Sequence, residues 1–184
     1  ELENALRRAA VLEEGDELVA ARLAGPKDDV IMITQEGQSI RFGVEGLRPA
    51  SRASGGVRGI RLEKGDQVVA MGLAAPGGFV LTVTENGYGK LTAVKGYPRQ
   101  GRGGGGVITF KITPKTGKVA TARIVQLDQD LLFLSTEGIV LRTPASGISR
   151  QGRATQGVTL MNIGMQLDEK QRVVAVSALV GPEA

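Results

Sequence analysis

The chain has 184 residues, 41% of them hydrophobic and 3% aromatic, and 23 Lys or Arg against 19 Asp or Glu give a formal net charge of +4. Cysteine and histidine are both absent, which excludes disulfides, thiolate nucleophiles, histidine general bases and the usual zinc ligands. No apolar run is long enough to span a bilayer, and the segment opening on Glu1 has no charged-then-apolar leader, so the expectation is a chain with no membrane partner and no secretion signal, a piece of something longer, with its redox compartment left open.

The first stretch, "LENALRRAA" at residues 2–10, reads as part of a repeat at a cut end or as a short helix. From there the chain repeats itself. The turn "EEGDELVAARL" at Glu13 returns as "EKGDQVVAMGL" at Glu63 and more weakly as "KTGKVATARIV" at Lys115. Glycine-centred turns "TQEGQSIRF", "TENGYGKLT" and "STEGIVLRT" place Gly37, Gly87 and Gly138 at intervals of 50 and 51. In the same phase, "SRASGGVRGIRL", "GRGGGGVITFKI" and "GRATQGVTLMNI" carry Arg52, Arg102 and Arg153. Motifs that keep one phase over three periods mark a repeat architecture.

Between the turns the pattern is that of strands. Residues 30–34, 80–84 and 131–135 are short apolar runs. After the arginines, Ile60 with Leu62, Phe110 with Ile112, and Met161 with Ile163 alternate with Arg61, Lys111 and Asn162, predicting a half-buried strand in each repeat. About four strands per fifty residues is what a propeller blade needs. We therefore expect one all-β domain over residues 1–184, with a partial unit at about 1–18 and full units at about 19–69, 70–120 and 121–180.

Charge follows the same phase. Residues 37–61, 87–111 and 138–162 together hold 13 of the Lys and Arg and a single acid, Glu45, while the rest of the chain is net acidic. In stacked repeats a bias tied to phase becomes a stripe, and a cationic stripe is the footprint of a polyanion site. The candidate phosphate contacts are Arg41, Arg48, Arg52, Arg58, Lys90, Lys95, Arg99, Arg102, Arg142, Arg150 and Arg153. The glycines around Arg102 suit close approach by a phosphate backbone, or a tight inter-blade turn. "GRGGGG" is not a nucleotide-binding loop, since no Lys-Ser or Lys-Thr closes it and a strand follows. Asp28 with Asp29, and Asp128 with Asp130, read as edge-capping carboxylates, so no metal and no cofactor is expected.

The ordered series "DDVIMITQEGQSIRF", "RPASRASGGVRGIRLEKGDQVVAM", "LTVTENGYGKLTAV", "YPRQGRGGGGVI" and "GRATQGVTL" resembles the C-terminal domain of DNA gyrase A and of the related topoisomerase IV protein. The resemblance implies a β-pinwheel, a propeller-like disc whose blades exchange strands and around whose basic rim duplex DNA bends, supporting negative supercoiling. It implies a non-catalytic part of an ATP-dependent topoisomerase, partnered by double-stranded DNA, the rest of gyrase A and, through the holoenzyme, gyrase B. The family's box motif is matched at Gln100, Arg102, Gly103, Gly104 and Gly106, while Gly101 and Gly105 stand where basic residues are usual. That departure, in a late repeat, predicts a box-like element here and the true box elsewhere. The rival reading is a protein-binding propeller platform.

Overall fold

The computed structural model describes residues 17–50, 56–162 and 173–179. Nearly all of the partial unit expected at about residues 1–18, the candidate Arg52 and the expected core-facing Ile163 lie outside them. The described residues form strands, three short 3-10 turns and connecting loops.

Each repeat begins with an antiparallel hairpin. These are β1 (Asp29–Thr34) with β2 (Gln38–Gly43), β4 (Phe79–Thr84) with β5 (Tyr88–Ala93), and β8 (Asp130–Ser135) with β9 (Val140–Pro144). The hairpin chemistry is visible in the sequence. Gly37, Gly87 and Gly138 have φ near +80°, a left-handed conformation that glycine adopts without a Cβ penalty. The preceding hydroxyl residue closes the turn: Thr34 Oγ1 accepts from Gln38 N, Thr84 Oγ1 from Tyr88 N and Ser135 Oγ from Ile139 N. A third strand then pairs with the first of the hairpin, β3 (Val68–Leu73) on β1, β7 (Val119–Val125) on β4 and β11 (Val173–Leu179) on β8. In all three pairings the register shifts near the hairpin turn.

The fourth strand comes from the next repeat. β6 (Val107–Ile108) leaves the second hairpin and pairs with β2 of the first, with Ser39 opposite Val107, and β10 (Val158–Thr159) pairs with β5 in the same way. The sheets are thus ordered β3-β1-β2-β6, β10-β5-β4-β7 and β11-β8-β9. This is the all-β, strand-exchanged architecture expected of a pinwheel.

The sheets pack face to face through shared cores. Ile31, Ile33 and Ala70 of the first sheet meet Val80, Val94, Tyr97, Phe110 and Val119 of the second repeat. Leu81, Val83, Leu91 and Val125 meet Leu131, Phe133, Ala145, Ile148 and Met161. Successive residues of one strand enter different cores, Val30 one and Ile31 the other. That is why β1 and β4 read as unbroken apolar runs instead of alternating ones, whereas in β8 only Leu131 and Phe133 enter a core and Leu134 is exposed.

One expectation needs correcting. The segments after the arginines are not half-buried strands. In the second and third repeats two residues pair, as β6 and β10, and the chain then bends. Ile60, Phe110 and Met161 plug the cores. Leu62, expected on the buried face, is 41% exposed.

Candidate nucleic-acid interface

The candidate cations come from the second hairpin strand and from the segment that leaves the 3-10 turn behind it, and in the second repeat Lys95 adds one on the 3-10 turn itself. The 3-10 turns are Val44–Gly46, Val94–Gly96 and Ala145–Gly147. The second and third exit segments run parallel to the second strand of the preceding sheet, as bridges Arg41 to Arg99 and Leu91 to Arg150 show. Backbone bonds hold them there, with Gln100 N donating to Arg41 O and Gln151 N to Leu91 O. These two segments are therefore fixed to sheets rather than left as free loops. Arg48 lies on the first exit segment, Arg99 and Arg102 on the second, and Arg150 and Arg153 on the third.

The structure divides the candidates into three groups. Arg48, Arg58, Lys95, Arg102 and Arg150 are exposed and, among the described residues, take part in no ion pair. Arg41, Arg99 and Arg142 are engaged by carboxylates. Asp29 accepts from Arg41 Nε at 2.8 Å and from Arg99 Nε at 2.9 Å, Glu45 adds a contact to Arg99, and Asp130 accepts from Arg142 Nε at 2.8 Å. Hydrogen bonding to Glu45 raises the already high pKa of Arg99 further. Arg41 also donates to the carbonyls of Val94 and Tyr97. Asp29 and Asp130 thus work as partners for in-phase arginines, and no cluster suited to a metal ion occurs among the described residues.

Lys90 is the third case and a correction. Its side chain is fully buried, which removes it from any contact with a rim phosphate. Its Nζ donates to Gly152 O at 2.7 Å, Thr155 O at 3.1 Å and Thr155 Oγ1 at 2.8 Å, with Arg153 O as a fourth acceptor and the Phe110 ring 5.1 Å away. Burial lowers its pKa to about 8, with the Arg153 charge adding to the effect. The sequence held a signal for this: the equivalent positions are Ile40, fully buried, and Leu141, partly buried against a core, so the other repeats put an apolar residue here.

Arg102 and Arg153 occupy equivalent places. Arg102 Nη1 donates weakly to Arg58 O at 3.5 Å, and Arg153 Nη1 donates to the equivalent Ile108 O at 3.0 Å while its Nε holds Gly96 O at 2.7 Å. The glycines following Arg102 also gain an explanation. Gly106 and Gly157 have φ of +74° and +68°, and a Cβ on either would lie within 2.5 Å of a carbonyl oxygen, Ser39 O or Gly89 O. The backbone that approaches these two is that of the neighbouring sheet. Gly101, by contrast, faces open space.

The family model described as "DNA gyrase C-terminal domain, beta-propeller" matches residues 28–74, 78–126 and 129–179, one match for each repeat. The chain belongs to the DNA gyrase C-terminal domain family. Among curated relatives, the DNA gyrase A protein of Dehalogenimonas lykanthroporepellens is 48% identical over 175 residues, covering 92% of this chain and 21% of the relative. That of Halalkalibacterium halodurans is 59% identical over 152 residues, covering 83% of this chain and 18% of the relative. The chain thus spans about a fifth of the length of these relatives. A solved structure of a DNA gyrase A C-terminal domain superposes with a TM-score of 0.84 at 27% identity, covering 94% of this chain and 57% of that one. The C-terminal domain of a DNA topoisomerase IV reaches the same TM-score at 17% identity, covering 93% and 52%, and so shares the fold.

Proposed function

We propose that this gyrase C-terminal domain binds double-stranded DNA without sequence preference, through a cationic rim formed by the exit segments, and bends the duplex around it. The observation that carries the reading is the group of exposed cations on or beside those segments, Arg48, Arg58, Lys95, Arg102 and Arg150, which form no ion pair among the described residues, with the second and third segments anchored to successive sheets. The Nε and Nη1 of Arg153 hold carbonyls, and among the described residues its Nη2 is engaged by no hydrogen bond, so it can donate to a phosphate. Arg99 and Arg142, with side chains 50% and 67% exposed beside their carboxylates, add to the rim more weakly, and Arg52, outside the described residues, shares the repeat phase of Arg102 and Arg153. Phosphate contacts give affinity and register but read no bases.

Within this reading residues 1–184 are one pinwheel domain of a longer, cytoplasmic gyrase A. The rest of gyrase A and, through it, gyrase B are its partners, and the domain presents DNA to catalytic machinery outside itself. The family assignment favours gyrase over topoisomerase IV, since the similar curated sequences are gyrase proteins.

The test is titration of the protein with duplexes long enough to curve, across a range of salt. The logarithm of affinity should fall linearly with the logarithm of salt, and each exposed Arg or Lys changed to Gln should reduce the slope by about one. Salt-independent binding, or strong preference between duplexes of equal length, would sink the proposal.

A further inference from the structure

The strand exchange has a competitor within the same sequence. The segment that crosses from β5 to become β6 on the first sheet could instead fold back along β5 itself, since β5 and β2 present equivalent edges. Two positions in phase with one another differ between the two junctions in a way that discriminates these outcomes.

Where the first sheet receives the turn of residues 101–106, Ile40 lies beneath it, fully buried, and Gly104 sits over Ile40, a Cβ there being 3.9 Å from Ile40 Cδ1. Where the second sheet receives residues 152–157, the equivalent pair is Lys90 and Thr155. Thr155 Oγ1 accepts from Lys90 Nζ at 2.8 Å and donates to Gly152 O at 3.0 Å. An apolar residue therefore meets a turn with no side chain, and an ammonium meets a turn that supplies a hydroxyl.

Folding back would shuffle these pairs. Lys90 would meet Gly104 of its own turn and lose an acceptor. Leu141 would meet Thr155, setting a hydroxyl on an aliphatic side chain. Burying an ammonium or a hydroxyl without its partner costs far more than the matched bond contributes, and buried polar groups are best attested as selectors of one arrangement over another.

We infer that the pairs Ile40–Gly104 and Lys90–Thr155 are specificity determinants that direct each donor turn onto the preceding sheet and away from its own. The absence of natural cysteine makes this directly testable. In the exchanged fold Tyr88 lies opposite Thr159; in the folded-back alternative it would lie opposite Ile108, the residue equivalent to Thr159. The full chain carrying Tyr88→Cys with Thr159→Cys, or Tyr88→Cys with Ile108→Cys, is unfolded in urea, refolded and oxidised. In the otherwise natural chain the first pair should cross-link and the second should not.

Lys90→Ile makes the own-turn pairing a match, and Thr155→Gly removes the preference from the other side while keeping the buried lysine and its carbonyl acceptors. Both should raise the yield of the cross-link between positions 88 and 108 at least about tenfold. If both variants regain their β spectrum with that cross-link still at background, the inference fails. A loss of the link between positions 88 and 159 without a gain of the other also overturns it, because Lys90 would then stabilise the junction without selecting it.

Discussion

At the scale of single residues, position in the fold decides what a positive charge does. Lys90 releases its proton near pH 8 in the folded chain, whereas an exposed lysine holds it to about 10.5. Between those values the unfolded state binds more protons, so the contribution of this group to stability rises with pH across that window. The thermal midpoint of the natural chain should therefore gain on that of Lys90→Met between pH 8 and 10. A midpoint that fell relative to the variant would mean that the folded state holds the proton more tightly. Arg102 and Arg153 are indistinguishable in the repeat pattern yet unequal in their contacts. Arg153→Ala removes two bonds to carbonyls and should cost about 1.5 kcal/mol, a fall of about 3–6 °C in the midpoint. Arg102→Ala should stay within ~0.5 kcal/mol, and calorimetry on the two variants would separate them. The sequence pattern could not: it marks which positions are equivalent, while the strength of each contact depends on Gly96 and Ile108, more than forty residues away.

At the scale of elements, the hairpins were legible because their chemistry is local. A hydroxyl residue, two polar residues and a glycine specify each turn, and apolar runs on either side specify the strands. The exchange was not legible from local pattern, because β6 pairs with residues about 70 positions earlier and two residues are too few to carry a periodicity. The same geometry separates glycines that look alike in the stretch around Arg102. Gly106→Ala would force a Cβ into Ser39 O from a left-handed backbone and should cost more than ~2 kcal/mol. Gly101→Ala meets nothing within 4 Å and should be neutral within ~0.5 kcal/mol. Urea denaturation of the two variants measures the contrast, and equal losses would contradict the packing described for β6.

At the scale of the whole molecule, charge phase and fold phase coincide, which is why a net charge of only +4 was a poor guide and its distribution a better one. What the distribution could not show is how many of those cations are already answered by carboxylates. Arg41 and Asp29 are twelve residues apart in sequence and face each other only because β1 and β2 pair. Because the cores and strands are shared between sheets, the sheets should unfold as one cooperative body, unlike repeat arrays whose units contact only through an interface. Fluorescent probes placed separately on the first and third hairpins of this tryptophan-free chain should report one coincident urea transition. Two resolved transitions would show that the sheets unfold independently.

The first sheet begins at Asp29 and receives its last strand only at Ile108. During synthesis a ribosome must therefore translate the entire second hairpin before the first sheet can be finished. Nascent chain emerging from the exit tunnel carries an unfinished edge for that whole interval, so each repeat waits upon its successor.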